Sequence, residues 1–84
     1  MAVYYRPQII ADLRAFPLDL RRRAIAAIRS VERRPEPDGV TRRELPVPFR
    51  PGTLGASIDG FAIRYLRTLD GIEFLRIQLV IDHL

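Results

Sequence analysis

Glu44 is the carboxylate in this sequence that is best placed for acid–base chemistry, because it lies close to Arg42, Arg43 and Arg50. A carboxylate can accept the proton of a ribose 2′-hydroxyl while guanidinium groups stabilise the charge that develops on the adjacent phosphate. A proton acceptor and nearby cations are therefore sufficient for RNA cleavage by the 2′-hydroxyl. The alternative is that Glu44 only neutralises its arginine neighbours on the surface. The sequence therefore offers Glu44 as a candidate general base and the three arginines as candidate RNA or anion ligands.

Two further arginines, Arg64 and Arg76, lie in β-prone runs that are separated by Asp70-Gly71. A three-residue loop over 69–71, with Gly71 left-handed, predicts that Arg64 lies opposite Arg76 on antiparallel strands. Like charges in such a pair need an anion or an acidic neighbour, so we predict that both arginines bind phosphate. Arg64 is also a candidate catalytic residue. A two-residue loop would instead pair Tyr65 with Arg76.

The same register sorts the side chains of the two strands onto two faces. Alternation places one set toward the helices and leaves the other set on an open, mixed polar and apolar face. The helix-facing set is Phe61, Ile63, Tyr65, Leu75, Ile77 and Leu79, and the open set is Ala62, Arg64, Leu66, Phe74, Arg76 and Gln78.

His83 is the only histidine and lies one residue from the C-terminus, where it is either a third catalytic residue or incidental. Cysteine is absent and no acidic spacing is typical of a calcium loop, so the sequence predicts no metal site. Residues 51–55 include two glycines but no lysine, which argues against a phosphate-binding loop. We therefore expect no cofactor.

The basic residues are unusual, because all fourteen are arginine and the net charge is +4. Guanidinium groups bind phosphates and carboxylates bidentately, so the composition suits RNA or an acidic protein. Codon bias is the alternative explanation, since net charge constrains partners only loosely. The absence of cysteine and of any signal-like or membrane-spanning segment predicts a soluble, cytoplasmic protein that does not enter a membrane.

The order of elements follows from prolines and from hydrophobic periodicity. Residues 2–6 predict a short strand, residues 7–16 a first helix, and residues from 18 to about 31 a second helix that begins after Pro17. Prolines within 35–39 and 42–52 predict a break and then an irregular crossing or edge segment. Three strands separated by Asp-Gly turns follow. The sequence thus predicts one α+β domain over 1–84, with a helical hairpin packed on a C-terminal antiparallel meander in the order β-α-α-β-β-β.

This order resembles the RelE/ParE toxin superfamily, as do the element Arg42-Arg43-Glu44-Leu45 and the strands at 60–65 and 72–77. The resemblance covers nearly the whole chain. It implies a RelE-like fold, a toxin of a bacterial type II toxin–antitoxin system, a small antitoxin partner, and a target that is either ribosome-bound mRNA or DNA gyrase. Where the family carries an aromatic followed by arginine, this chain has Phe61-Ala62, so the expected catalytic arginine is replaced by Ala62.

Three functional hypotheses follow from the residues and the resemblance. The first is a toxin-like, ribosome-dependent mRNA endonuclease that uses Glu44, Arg64 and His83, with phosphates held by the other arginines. The second is a catalytically inactive binding protein of the same fold, since Ala62 and the apolar C-terminus depart from the family. The third is a ParE-like gyrase inhibitor, which acts by protein contact. The sequence leaves open whether the chain forms a homodimer.

Overall fold

Two helices cover one face of a five-stranded sheet in the computed structural model, which describes residues 1–80. The strand order is β1-β5-β4-β3-β2, with β1 parallel to β5 and the other neighbours antiparallel. This confirms the predicted α+β class and element order. The elements are β1 Ala2–Tyr5, α1 Pro7–Ala15, α2 Leu18–Arg33, β2 Arg42–Glu44, β3 Thr53–Ile58, β4 Phe61–Arg67 and β5 Gly71–Leu79.

The segment expected to be an irregular crossing or edge contains one short edge strand, β2. Prolines at 46, 48 and 51 follow it and leave no room for a longer strand, because proline cannot donate to a sheet ladder. The connection to β3 is therefore an ordered but non-repetitive loop. Among residues 1–80, no helix is both long and apolar enough to cross a membrane.

The core lies between the helices and the sheet. Small and branched residues of α2 recur every three or four positions, which lets this helix pack closely against the strands. The buried helical residues are Ile9, Ala24, Ala27, Ile28 and Val31, and those of the sheet include Leu54, Phe61, Ile63, Tyr65, Ile72, Phe74 and Ile77. The Tyr65 hydroxyl donates to the Pro35 carbonyl at 2.7 Å, and burial raises the pKa of this tyrosine to about 12.

The two Asp-Gly pairs form different turns. Asp59 and Gly60 both have positive φ values, 51° and 81°, and they close the β3–β4 hairpin as predicted. The β4–β5 loop instead consists of Leu69 and Asp70, since the Thr68 N–H donates to the Gly71 carbonyl at 2.8 Å. Gly71 is not left-handed. Glycine is required there because an added Cβ would lie 1.7 Å from the carbonyl oxygen of Ala2 on β1. The predicted three-residue loop is therefore wrong.

The predicted pairing of Arg64 with Arg76 is nevertheless confirmed, because a β-bulge compensates for the shorter loop. Tyr65 pairs with Phe74 and Arg64 with Arg76, which leaves Leu75 as the extra residue of β5. The bulge also reverses two predicted faces. Phe74 is fully buried in the core, whereas Leu75 is half-buried on the open side beside Arg64 and Arg76.

Candidate functional site

Three arginines lie along one line across the open face of the sheet. Arg43 on β2 pairs with Gly55 on β3, Gly55 pairs with Arg64 on β4, and Arg64 pairs with Arg76 on β5. Directly paired residues project from the same face of a sheet, so the three guanidinium groups share one surface. We call Arg43, Arg64 and Arg76 the arginine row. Gly55 adds no side chain, and Leu45 fills the space above it, 3.0 Å from where a Cβ would lie.

Two members of the arginine row have no ion-pair partner among residues 1–80. The Nε of Arg43 donates to the Val40 carbonyl, at 3.4 Å. The guanidinium of Arg64 lies over the ring of Phe49, 5.2 Å from its centroid, which is a cation–π contact. Such a contact leaves the positive charge in place. Arg43 and Arg64 therefore keep charges that an anion can neutralise.

Arg76 has an acidic partner, Asp12 of α1. Its Nε and Nη2 donate to the two carboxylate oxygens at 3.1 and 3.3 Å. The Ile77 N–H also donates to Asp12, at 3.0 Å, because the pairing of β1 with β5 ends at Phe74 and leaves this edge of β5 open. Burial opposes ionisation of Asp12, but the bonds from Ile77, Gln8 and Arg76 outweigh it and lower the pKa of this carboxyl. Asp12 thus supplies the acidic neighbour that the arginine pair requires.

Two adjacent concavities flank the arginine row and share Arg64 and Arg76. The first has a volume of about 430 Å³ and is lined by the complete row together with Leu45 and Gly55. The second has a volume of about 300 Å³. We call it the Phe49 pocket, and its lining is Arg6, Gln8, Phe49, Arg50, Thr53, Arg64, Leu66, Leu75 and Arg76. Of the predicted anion ligands, Arg43, Arg50, Arg64 and Arg76 are thus brought onto one continuous surface.

Arg42 is not part of this surface, because it lies on the helix-covered face and is only 5% exposed. Its guanidinium donates to the Thr41 hydroxyl at 2.8 Å and to the Ser30 carbonyl at 3.2 Å, and it lies 3.8 Å from the Asp38 carboxylate. Bonds from the Arg42 N–H and the Thr41 hydroxyl hold the pKa of Asp38 well below its usual range. The structure therefore assigns Arg42 to internal packing rather than to the anion-binding surface expected from the sequence.

Glu44 is separated from the arginine row by the sheet. It pairs with Leu54, whose side chain lies in the core, so Glu44 projects from the helix-covered face at the sheet edge. Arg43, the residue before it, projects from the other face. The structure therefore does not bring Glu44 together with Arg64, as the predicted catalytic pair requires. The third predicted catalytic residue, His83, lies outside the described residues.

Three residues of this surface were missed by the sequence reasoning: Asp12, Arg6 and Phe49. Asp12 lies off the apolar stripe of α1, between Ile10 and Leu13 in the sequence. The one indication of its role was that the predicted arginine pair needs an anion or an acidic neighbour. Phe49 is an aromatic residue enclosed by Pro48 and Pro51 and followed by Arg50, a pattern that argues against core packing and could have marked an exposed ring. Within 1–80 no cluster of three or more metal-ligating side chains occurs.

Neither a protein-family model nor a curated protein matches this sequence. The fold is similar to solved structures of toxin–antitoxin complexes. One is the RelBE2 complex of Mycobacterium tuberculosis, with a TM-score of 0.75 at 17% identity over 93% of this chain and 95% of that chain. Another is the RelB–RelE complex of Methanococcus jannaschii, with a TM-score of 0.64 at 14% identity over 90% and 88%. At these identities the likeness concerns the fold alone.

Proposed function

We propose that this chain is the toxin-like component of a type II toxin–antitoxin pair and that it binds RNA through the arginine row. The observation that carries the proposal is the single register line through Arg43, Gly55, Arg64 and Arg76. Arg43 and Arg64, which have no ion-pair partner among residues 1–80, can bind phosphate oxygens bidentately, whereas Arg76 already pairs with Asp12. The fold likeness to chains of RelB–RelE complexes supports the pairing with an antitoxin, which for this basic chain is expected to be acidic.

The position of Glu44 favours the binding-protein hypothesis over the endonuclease hypothesis. A general base has to reach the proton that it removes, at about 2.6–3.2 Å or through one water. Glu44 projects from the opposite face of the sheet to Arg64. The family arginine is also replaced by Ala62, which lies in the first concavity. The proposed activity is therefore RNA binding, with no cleavage step assigned to Glu44.

A binding assay with one charge removed at a time tests the proposal. The affinity of a fluorescently labelled single-stranded RNA is measured by anisotropy across a salt series, for wild type, Arg64→Gln and Arg22→Gln. Each phosphate contact contributes a slope of about −0.7 in log K against log salt for single strands. We expect Arg64→Gln to weaken binding and reduce the slope by about 0.7. Arg22, which is exposed on α2, is the matched control and should leave both values unchanged.

Equal losses in Arg64→Gln and Arg22→Gln would show that RNA responds only to net charge, and the arginine row would then have no special role. A cellular arm tests the toxin-like assignment. Induction of the chain in a bacterium without its antitoxin is expected to slow growth, and Arg64→Ala is expected to relieve the effect. Normal growth at a verified level of folded wild-type protein would contradict that assignment.

A further inference from the structure

We propose that the Phe49 pocket is a subsite for one unpaired nucleobase of the bound RNA. The proposal rests on the proposed function, because the pocket shares Arg64 and Arg76 with the arginine row. A strand whose phosphates follow the row would pass the mouth of this pocket. The pocket would add a contact with one base, whereas the arginine row contacts only the sugar–phosphate backbone of the RNA.

The ring of Phe49 is exposed on a constrained loop. The residue keeps 38% of its surface accessible although it is large and apolar, and the Arg64 guanidinium lies over the ring. Three prolines within 46–51 restrict the backbone, and the Phe49 N–H donates to the Pro46 carbonyl at 3.0 Å. Ordering the ring upon binding therefore costs little conformational entropy. An exposed, pre-positioned aromatic beside a guanidinium is the arrangement on which unpaired bases stack.

The rest of the pocket is matched to a nucleotide. Leu66, which is 8% exposed, and the bulge residue Leu75 provide apolar lining beside the ring. Arg50 is exposed at the rim and has no ion-pair partner among residues 1–80, while Arg6 pairs with Glu73 at 3.4 Å. The volume of about 300 Å³ accommodates one base with its sugar. The leucines and the Phe49 ring would therefore contact the base, and the arginines would bind the phosphate.

A nucleotide suits this pocket better than an acidic peptide does. Carboxylates would use Arg50 and Arg64 but would gain nothing from the exposed ring, because the face of an aromatic ring repels negative charge. A nucleobase gains from the ring and the leucines, and its phosphate gains from the arginines. Of the two, the nucleotide is therefore the ligand that uses both the apolar and the cationic parts of the pocket.

A sole-tryptophan reporter combined with abasic RNA tests the subsite. The chain contains no tryptophan, so Phe49→Trp places the only indole at the proposed stacking position. We expect its fluorescence to change with an oligoadenylate of about eight nucleotides, and to remain unchanged with an abasic oligomer of the same length and charge. In anisotropy, wild type should bind the oligoadenylate roughly 5- to 150-fold more tightly than the abasic oligomer, as expected for one base–aromatic stack.

Phe49→Leu should abolish this preference by weakening the binding of the oligoadenylate to about that of the abasic oligomer. Val47→Ala, at a 91% exposed position in the same loop, is the matched control and should retain the preference. Equal affinity of wild type for the two oligomers would overturn the subsite and leave phosphate binding by the arginine row intact. Binding to neither oligomer would overturn both proposals. The nucleobase subsite would also be overturned if Phe49→Leu lost binding to a glutamate-rich peptide but kept its binding to RNA. That result would assign the pocket to an acidic protein.

Discussion

Arg42 and Arg43 are consecutive residues of β2, yet they occupy opposite faces of the sheet and different chemical environments. Arg42 is buried among Ser30, Asp38 and Thr41, where its guanidinium satisfies neighbouring oxygens. Arg43 is exposed in the arginine row, where its Nε donates to the backbone carbonyl of Val40. Strand alternation alone causes the difference. The comparison shows that the arginines of β2 are divided between the folded interior, where Arg42 is hydrogen-bonded, and the open surface, where Arg43 is exposed.

The two faces as a whole differ in the same way. The covered face carries the apolar core and the buried guanidinium of Arg42. Its Nη1 and Nη2 donate to oxygens of Thr41 and Ser30, while its Nε is buried without a partner among residues 1–80. The open face carries Arg43 and Arg64, which have no ion-pair partner in the part of the chain that the structure describes, beside partly exposed apolar groups. Unpaired charges in solvent lower the stability of the fold little, and they contribute favourable binding free energy when an anion binds. Substitutions on the covered face should therefore reduce stability, and those on the open face should reduce binding.

The sharpest test of the two faces uses the neighbours Phe74 and Leu75, which the bulge places on opposite sides. Phe74→Ala removes a fully buried ring that stacks on Tyr5 and should lower the free energy of unfolding by about 3–5 kcal/mol. Leu75→Ala, on the half-buried open side, should lower it by about 1 kcal/mol. Urea denaturation of both variants measures the difference. Similar losses would contradict the bulge and the face assignments that depend on it.

The sequence predicted the elements better than it predicted the faces. Prolines, apolar periodicity and the Asp59-Gly60 turn determine helices, strands and one hairpin locally, and these predictions were confirmed. The β4–β5 loop was not predictable in this way, because Gly71 is required by the approach of β1, a contact that is distant in sequence. Phe74-Leu75, two successive apolar residues in an alternating strand, was the only local sign of the bulge.

Arg42→Gln and Arg43→Gln test the comparison in both directions. Arg42→Gln leaves hydrogen-bonding groups of Ser30 and Thr41 without their partner and should lower the free energy of unfolding by about 1–3 kcal/mol. Arg43→Gln should change it by less than about 0.5 kcal/mol but weaken RNA binding. Chemical denaturation and RNA anisotropy on the same preparations distinguish the two. A stable Arg42→Gln with weakened RNA binding would place Arg42 in the binding surface after all.

The structure divides the predicted cluster of arginines and Glu44 for a related reason. Arg42, Arg43 and Glu44 are contiguous, and proximity in sequence suggested one cluster. In a strand, neighbours point to opposite faces, so a cluster on one surface has to be assembled from paired strands, here through Gly55. The predicted pair Arg64–Arg76 came from such pairing and was confirmed. Asp12 and Phe49 come from α1 and from the β2–β3 loop, whose positions depend on tertiary packing.

Asp12 joins the two faces, because it belongs to α1 and holds Arg76 of the open face. Its pKa in the folded protein is below the ordinary value of 3.8, so its contribution to stability is fully present above that pH and is lost as the pH falls through the lower folded-state pKa. The stability difference between wild type and Asp12→Asn should therefore shrink as the pH is lowered from 6 toward about 2. Denaturation of both proteins across this range measures it. A stability difference that does not change with pH would mean that the charge of Asp12 contributes nothing to stability.

The smallest effect is expected at Glu44, and it bears most directly on the nuclease hypothesis. Glu44→Gln removes one exposed charge from an edge strand, so the free energy of unfolding should change by less than about 0.5 kcal/mol. RNA affinity should also be unchanged, because Glu44 and the arginine row project from opposite faces. Mapping of mRNA ends after induction should then give the same pattern for Glu44→Gln and wild type. Transcript ends that appear with wild type and disappear with Glu44→Gln would restore Glu44 as the base. Such a result would require it to reach RNA from the covered side of β2, and the arginines that assist it would then have to be sought on the helices rather than in the row.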